Sequence, residues 1–145
     1  MLNPQRQRSP QGFSLLELLI AVAIAGILAS IAYPSYLTQV RKGRRSDAMQ
    51  ALSQIQQAQE RWRAINPSYA SNSLLTPAWP DGLGIAATTA GAYYTLSIGD
   101  DPTESSYTAS ALARASQAAD AGCTTLTTSI NNGTVSNTPE ACWSR

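Results

Sequence analysis

The stretch Phe13–Tyr33, FSLLELLIAVAIAGILASIAY, holds 21 residues and a single charge, Glu17. Coiled as a helix it rises about 31 Å, which matches the ~30 Å hydrocarbon core of a bilayer. Leu, Ile, Ala and Val occupy all sides, so this is not the one-faced stripe of a surface helix. A secretory signal peptide is the bland reading, with Arg6 and Arg8 in front and small residues near Ala29 and Ser30. The run exceeds the 7–15 residues usual for such a core. Glu17 also lies inside it, where a carboxylate costs several kcal/mol unless it is paired or displaced toward the interface.

Glu17 has no partner on its own helix. Arg8 lies far upstream and Arg41 far downstream. A cut between Gly12 and Phe13 would create a positive amine on Phe13. Pairing of that amine with Glu17 of a neighbouring copy would neutralise both charges in lipid and reward side-by-side packing at a fixed axial offset.

Gly12-Phe13-Ser14-Leu15-Leu16-Glu17-Leu18 resembles the prepilin motif of type IV pilins and of the related pseudopilins of type II secretion. The resemblance implies that residues 1–12 form a leader removed after Gly12 by a prepilin peptidase, which then N-methylates Phe13. It implies that Glu17 guides subunit docking. Gly26 and Pro34 match positions where the family's helix loosens within the filament.

Past the apolar run, Pro34 removes one helical hydrogen bond and predicts a kink. The pattern still reads as helix, because Ala48, Ala51, Leu52, Ile55, Ala58, Trp62 and Ile65 recur at spacings of three and four. Asn66-Pro67-Ser68 ends it. Three segments follow for the mature chain: a membrane and assembly helix over 13–33, its amphipathic continuation over 34–65, and a globular head over 66–145.

In the head, 66–92 is rich in Pro, Gly, Ser, Thr and Ala and reads as a long connecting loop. Strands are predicted at Tyr93–Ile98, Ser106–Leu112 and Thr124–Ile130 from their branched and aromatic residues, the second less clearly because its alanines also allow helix. Asn132-Gly133 marks a tight hairpin turn returning through Thr134–Ser136. The expected class is α+β. The resemblance sharpens this to a long kinked N-terminal helix packed on a small antiparallel sheet, with a C-terminal disulfide loop.

Cys123 and Cys142 are the only cysteines. One pair in a small polar domain behind a membrane segment reads as a disulfide formed in an oxidising compartment. A two-thiol metal site is the rival reading, with no His and no further Cys to complete it. Gln117, Asp120, Cys123 and the ending Cys142-Trp143 resemble PilE-type minor pilins, whereas pseudopilins usually lack such a loop.

Chemistry is narrowly bounded. Histidine is absent, and no glycine-rich phosphate loop or nucleophile motif appears. No catalytic role, cofactor or metal is expected. Asp100, Asp101 and Glu104 fit no calcium loop and read as a solvated turn. The aromatics Trp62, Tyr93, Tyr94, Tyr107 and Trp143 read as packing residues.

With a net charge of +1 the whole chain offers no field for nucleic acid. Its one basic run, Arg41, Lys42, Arg44 and Arg45, is a candidate contact for lipid phosphates, neighbouring subunits or DNA. Arg61, Arg63, Arg114 and Arg145 are the other basic residues beyond the apolar helix. The run also sets a conflict: four basic residues after the apolar helix favour a cytoplasmic C-terminal domain, while the disulfide and the prepilin motif require it outside. The latter two are given precedence.

The resemblance thus implies a structural pilus subunit, a minor pilin serving assembly, motility, adhesion or DNA uptake. The alternatives are a pilus-borne DNA receptor for transformation and a type II secretion pseudopilin. Expected partners are other major and minor pilin subunits, prepilin peptidase and inner-membrane lipid, with DNA as a further candidate. The expected location is the bacterial inner membrane before assembly, with the C-terminal domain periplasmic, and the extracellular pilus after it.

Overall fold

The computed structural model describes residues 12–99 and 101–143. The expected leader therefore lies outside the described residues, apart from Gly12, and so do Asp100 and Arg145. Two compact units divide the chain, residues 1–37 and 38–145.

One helix, α1 (Leu15–Arg63), runs through Pro34 without losing helical assignment. Its start has a local cause. The backbone N–H of Glu17 donates to the Ser14 hydroxyl at 3.2 Å, and that of Leu18 to the Ser14 carbonyl at 3.2 Å. Ser14 thus caps the helix, the arrangement that Ser-x-x-Glu favours. At the other end Asn66 Nδ2 donates to the Trp62 carbonyl and Arg63 Nη1 to the Asn66 carbonyl. The first bond occupies a terminal helix carbonyl, the second ties the last helical residue to the chain beyond it, and Pro67 cannot continue the helix.

Four strands follow: β1 (Tyr94–Ile98), β2 (Ser106–Ala113), β3 (Thr125–Asn131) and β4 (Thr134–Thr138). They form one antiparallel meander in the order β1-β2-β3-β4. Register places Leu96 opposite Ala111, Ala109 opposite Thr128 and Ile130 opposite Val135. At the last turn Asn132 and Gly133 have φ of 47° and 77°, the left-handed pair that a two-residue hairpin with the sheet's twist requires. Every predicted strand is present, each bounded within two residues of its expected span. β2 is a strand because alternate residues Tyr107, Ala109 and Ala111 are buried, a period of two that no helix offers.

The core lies between the sheet and the second half of α1. Ala48, Ala51, Leu52, Ile55 and Ala58 of the helix are buried with Tyr94, Leu96, Ile98, Tyr107, Leu126 and Ile130 of the strands.

Residues 66–92, expected to be a plain connector, contribute to that core as well. Tyr69, Ala70, Leu75 and Leu83 are buried. Gln59, fully buried on the helix, donates to the Ala70 carbonyl and accepts from the Ala70 N–H, both at 2.8 Å. Its amide thereby replaces the backbone partner that Ala70 would have in a sheet. Gly82 permits the tight fold-back of this arm, since a Cβ there would meet the carbonyls of Leu74 and Pro77 at 2.6 Å.

Candidate functional site

Two regions carry the residues singled out by sequence: the N-terminal helix, and the part of α1 that bears the basic run.

In the N-terminal unit the apolar side chains have no cover within the chain. Phe13 is 82% exposed and Ile31 73%. An 18-residue window of α1 has a mean hydropathy of 2.5 and is long and apolar enough to cross a membrane. Burying such a surface gains about 25 cal/mol per Å², so it calls for lipid or other helices. Gly26 sits inside the helix with open space where a Cβ would stand. Packing within this chain therefore gives no reason for glycine there.

The basic run is not one surface, and this corrects the sequence reading. Arg45 is buried, at 8% exposure, and its guanidinium donates to both carboxylate oxygens of Asp120, at 2.7 and 2.8 Å. That hydrogen-bonded carboxylate holds the Arg45 pKa above its ordinary value. Arg44 lies over the Tyr93 ring, 4.3 Å from its centroid, and donates to the Ser116 hydroxyl at 3.0 Å. The Arg41 carbonyl accepts from Gln117 Nε2 at 3.2 Å, and Asp47 accepts from the Gly91 N–H at 3.2 Å. Two turns of helix thus fasten onto the loops beside β1 and β2. Only Lys42 of the four is fully exposed, and Arg41 is half-buried. The reason is spacing: positions 41, 44, 45 and 48 fall on one helix side, and Ala48 is in the core.

Around Arg45 the buried polar groups form a network. Gln117 Nε2 also donates to the Tyr94 hydroxyl at 2.9 Å and to Asp120 at 3.2 Å. Burial is the main cause of a Tyr94 pKa above its usual value. Sequence reasoning noticed Gln117 and Asp120 only as part of a resemblance. Two polar residues shortly before a cysteine carry no periodic signal, and their helix partners, the Arg41 carbonyl for Gln117 and Arg45 for Asp120, lie 76 and 75 residues away.

Cys123 and Cys142 are joined in a disulfide. It fastens the turn Glu140–Cys142 after β4 to the segment just before β3. The Cys123 N–H donates to the Asp120 carbonyl at 2.9 Å, so the bridge adjoins the Arg45–Asp120 pair.

Ser14 caps α1, as described, at a Ser-x-x-Glu spacing. One further feature had no clear sequence signal. Arg61 stacks over Trp79 at 4.6 Å from the ring centroid, with Trp62 edge-on to Trp79 at 6.4 Å and 87°. The Arg63 side chain donates to the carbonyls of Glu104 and Asn66, which takes it out of the exposed basic set. Among the described residues no group of His, Cys, Asp and Glu is placed to hold a metal ion.

A family model described as type IV minor pilin ComP, DNA uptake sequence receptor, matches residues 34–127. The chain belongs to that type IV minor pilin family. A second model, the prokaryotic N-terminal methylation motif, matches residues 7–33 and so spans Gly12, Phe13 and Glu17.

Individual relatives agree with the pilin assignment. Fimbrial protein EcpC of Eikenella corrodens is 39% identical over 83 residues, 57% of this chain and 50% of its own. Type IV wide pilus major component PilA4 of Thermus thermophilus is 35% identical over 65 residues, 45% of this chain and 50% of its own. Type IV major fimbrial protein FimA of Dichelobacter nodosus is 44% identical over 50 residues, 34% and 32% of the two chains. The pilin spans about half the length, or less, of these curated relatives. β4 and Cys142 lie beyond the part matched by the minor pilin model.

Proposed function

We propose that this pilin is a structural subunit of a type IV pilus, a minor pilin cut between Gly12 and Phe13 and assembled by its apolar helix. The observation that carries the proposal is the uncovered apolar helix with one carboxylate, Glu17, in its first turn. Before assembly the helix lies in the inner membrane with the head periplasmic, where a disulfide forms. After assembly, helices of neighbouring subunits replace lipid, and the new Phe13 amine pairs with Glu17 of another copy. Gly26 and Pro34 supply the places where that helix loosens. Prepilin peptidase and other pilins are the implied partners.

The test is mass spectrometry of purified pili. A Phe13-initiated chain with a methylated amine, present in fewer copies than the main subunit, is the expected result. Pili normal in number after deletion, together with a tagged copy never found in them, would sink the subunit reading. A fusion reporter on the C-terminus that proved cytoplasmic would sink the topology.

A second reading is favoured by the family description: the subunit serves as a receptor for DNA in uptake. The basic run gives it less support than the sequence alone did, because Arg44 and Arg45 are engaged in the fold. Lys42, Arg61 and Arg114 are exposed, so few phosphates are contacted, binding is weak, and its salt dependence is shallow because the slope scales with the number of contacts. A gel shift of the full chain in detergent at low salt tests it, and no shift counts against it.

A further inference from the structure

None of the 25 residues in the four strands is Asp, Glu, Lys or Arg. Over β1–β3 burial alternates between a mainly apolar inner face and an outward one, while β4 is exposed throughout. On the outward face Ser97, Ser110, Thr127 and Thr138 stand side by side across all four strands. The next row carries Thr108, Ser129 and Ser136. Solvent-facing strands ordinarily include charged residues, which also block unwanted pairing. Here hydroxyls repeat about 4.8 Å apart across strands and about 6.7 Å along them.

These hydroxyls are partly organised already. Thr108 and Ser129 share a hydrogen bond at 3.1 Å, and Ser110 and Thr127 one at 3.3 Å, with either group able to donate. Each pair uses one donor and leaves one, with spare lone pairs, facing outward. The second of these rows opens onto a cavity of about 400 Å³ lined by Asp101, Ser106, Thr108, Ser129 and Asn131. That volume lies within the usual range for small-molecule sites.

We propose that this face, with the Asp101–Asn131 cavity as its anchor, binds a neutral polysaccharide. Charge decides the class of occupant. An anionic polymer gains nothing from an uncharged sheet and meets the Asp101 carboxylate. An apolar partner would strip water from many hydroxyls without replacing their hydrogen bonds, at roughly 1–3 kcal/mol each. A sugar chain carries hydroxyls that both donate and accept, as the serines and threonines do. In the cavity the carboxylate accepts from two neighbouring sugar hydroxyls while the Asn131 amide donates and accepts. The inference concerns the head alone and does not depend on the DNA reading.

The experiment uses the full chain in detergent micelles, passed over dextran gel and microcrystalline cellulose, with alginate and duplex DNA as anionic comparisons. Retention on a neutral matrix is expected, unchanged between 50 and 500 mM salt and reversed by a soluble oligosaccharide of the same sugar. The double variant D101A/N131A and, separately, Ser129→Lys are expected to lower retention about tenfold, the loss of one or two good hydrogen bonds. Their thermal melts report folding, and Arg61→Ala is expected to bind as the parent does. Four results would each overturn the proposal: no retention on either neutral matrix, retention only on alginate or DNA, elution unaffected by the oligosaccharide, or self-association that accounts for the retention.

Discussion

Arg45 donates two hydrogen bonds to Asp120, 75 residues further along the chain, and both side chains are buried. This pair binds the helix to the loop that leads into the disulfide. Asp120→Ala leaves a buried guanidinium without its counter-charge and is expected to cost about 3–5 kcal/mol. Replacing both residues with apolar ones of similar volume is expected to restore much of the loss. Urea denaturation of the full chain in detergent measures both. Lys42→Ala, on an exposed neighbour, is expected to stay within about 0.5 kcal/mol of the parent.

The disulfide holds the last strand and tail. Cys142→Ser opens a loop closed across a separation of 19 residues, and a stability loss of about 3 kcal/mol is expected. Because β4 is exposed at every position, the loss should appear first as proteolysis after Asn131, with the core of β1–β3 protected for longer. Simultaneous cleavage throughout the head would contradict this.

Alkaline pH is expected to weaken the head from about pH 10 upward. Burial raises the phenol pKa of Tyr69, Tyr94 and Tyr107, most strongly for Tyr107. With a raised folded pKa, the folded chain holds more protons than the unfolded one once pH passes the ordinary tyrosine value of about 10. Stability is therefore complete below that pH and declines as pH rises through the folded values. The Tyr107 hydroxyl is buried and finds no hydrogen-bond partner among the described residues. Tyr107→Phe is therefore expected to be near neutral at pH 7 and to flatten the alkaline decline. Urea midpoints at pH 8, 10 and 11 report it.

Glu17→Ala separates insertion from assembly. Removing a carboxylate from the apolar run should ease membrane insertion by up to about 3 kcal/mol. On the proposed pairing with Phe13 it should also lower the amount of subunit per pilus. Quantifying the variant in membrane and pilus fractions tests both directions at once. Undiminished incorporation would remove the pairing argument and leave the cleavage argument intact.

Period and punctuation were enough to read most of the architecture. The long apolar helix, its one-sided continuation through Ile55 and Ala58, the β-rich segments and the Asn132-Gly133 turn are local patterns. Each residue there reports its environment through its neighbours. The arm over 66–92 was less legible, because its few apolar residues follow no period among Pro, Gly and Ser, and Ala70 is held by Gln59, 11 residues upstream.

Sequence by itself determined the apolar run with Glu17 inside it, the prepilin pattern from Gly12 to Leu18, and the spacing of the strands. These follow from the order of residues over a few turns, where lipid thickness, helix pitch and turn geometry act directly. Tertiary structure decided the fate of the basic run. Four neighbouring cations look alike in a sequence, yet the helix turns Arg41, Arg44 and Arg45 toward the head and Lys42 away from it. Arg45 meets Asp120, Arg44 meets Tyr93, and Lys42 meets water. Only folding brings those partners, 49 to 75 residues away, close enough for charge and burial to tell the residues apart.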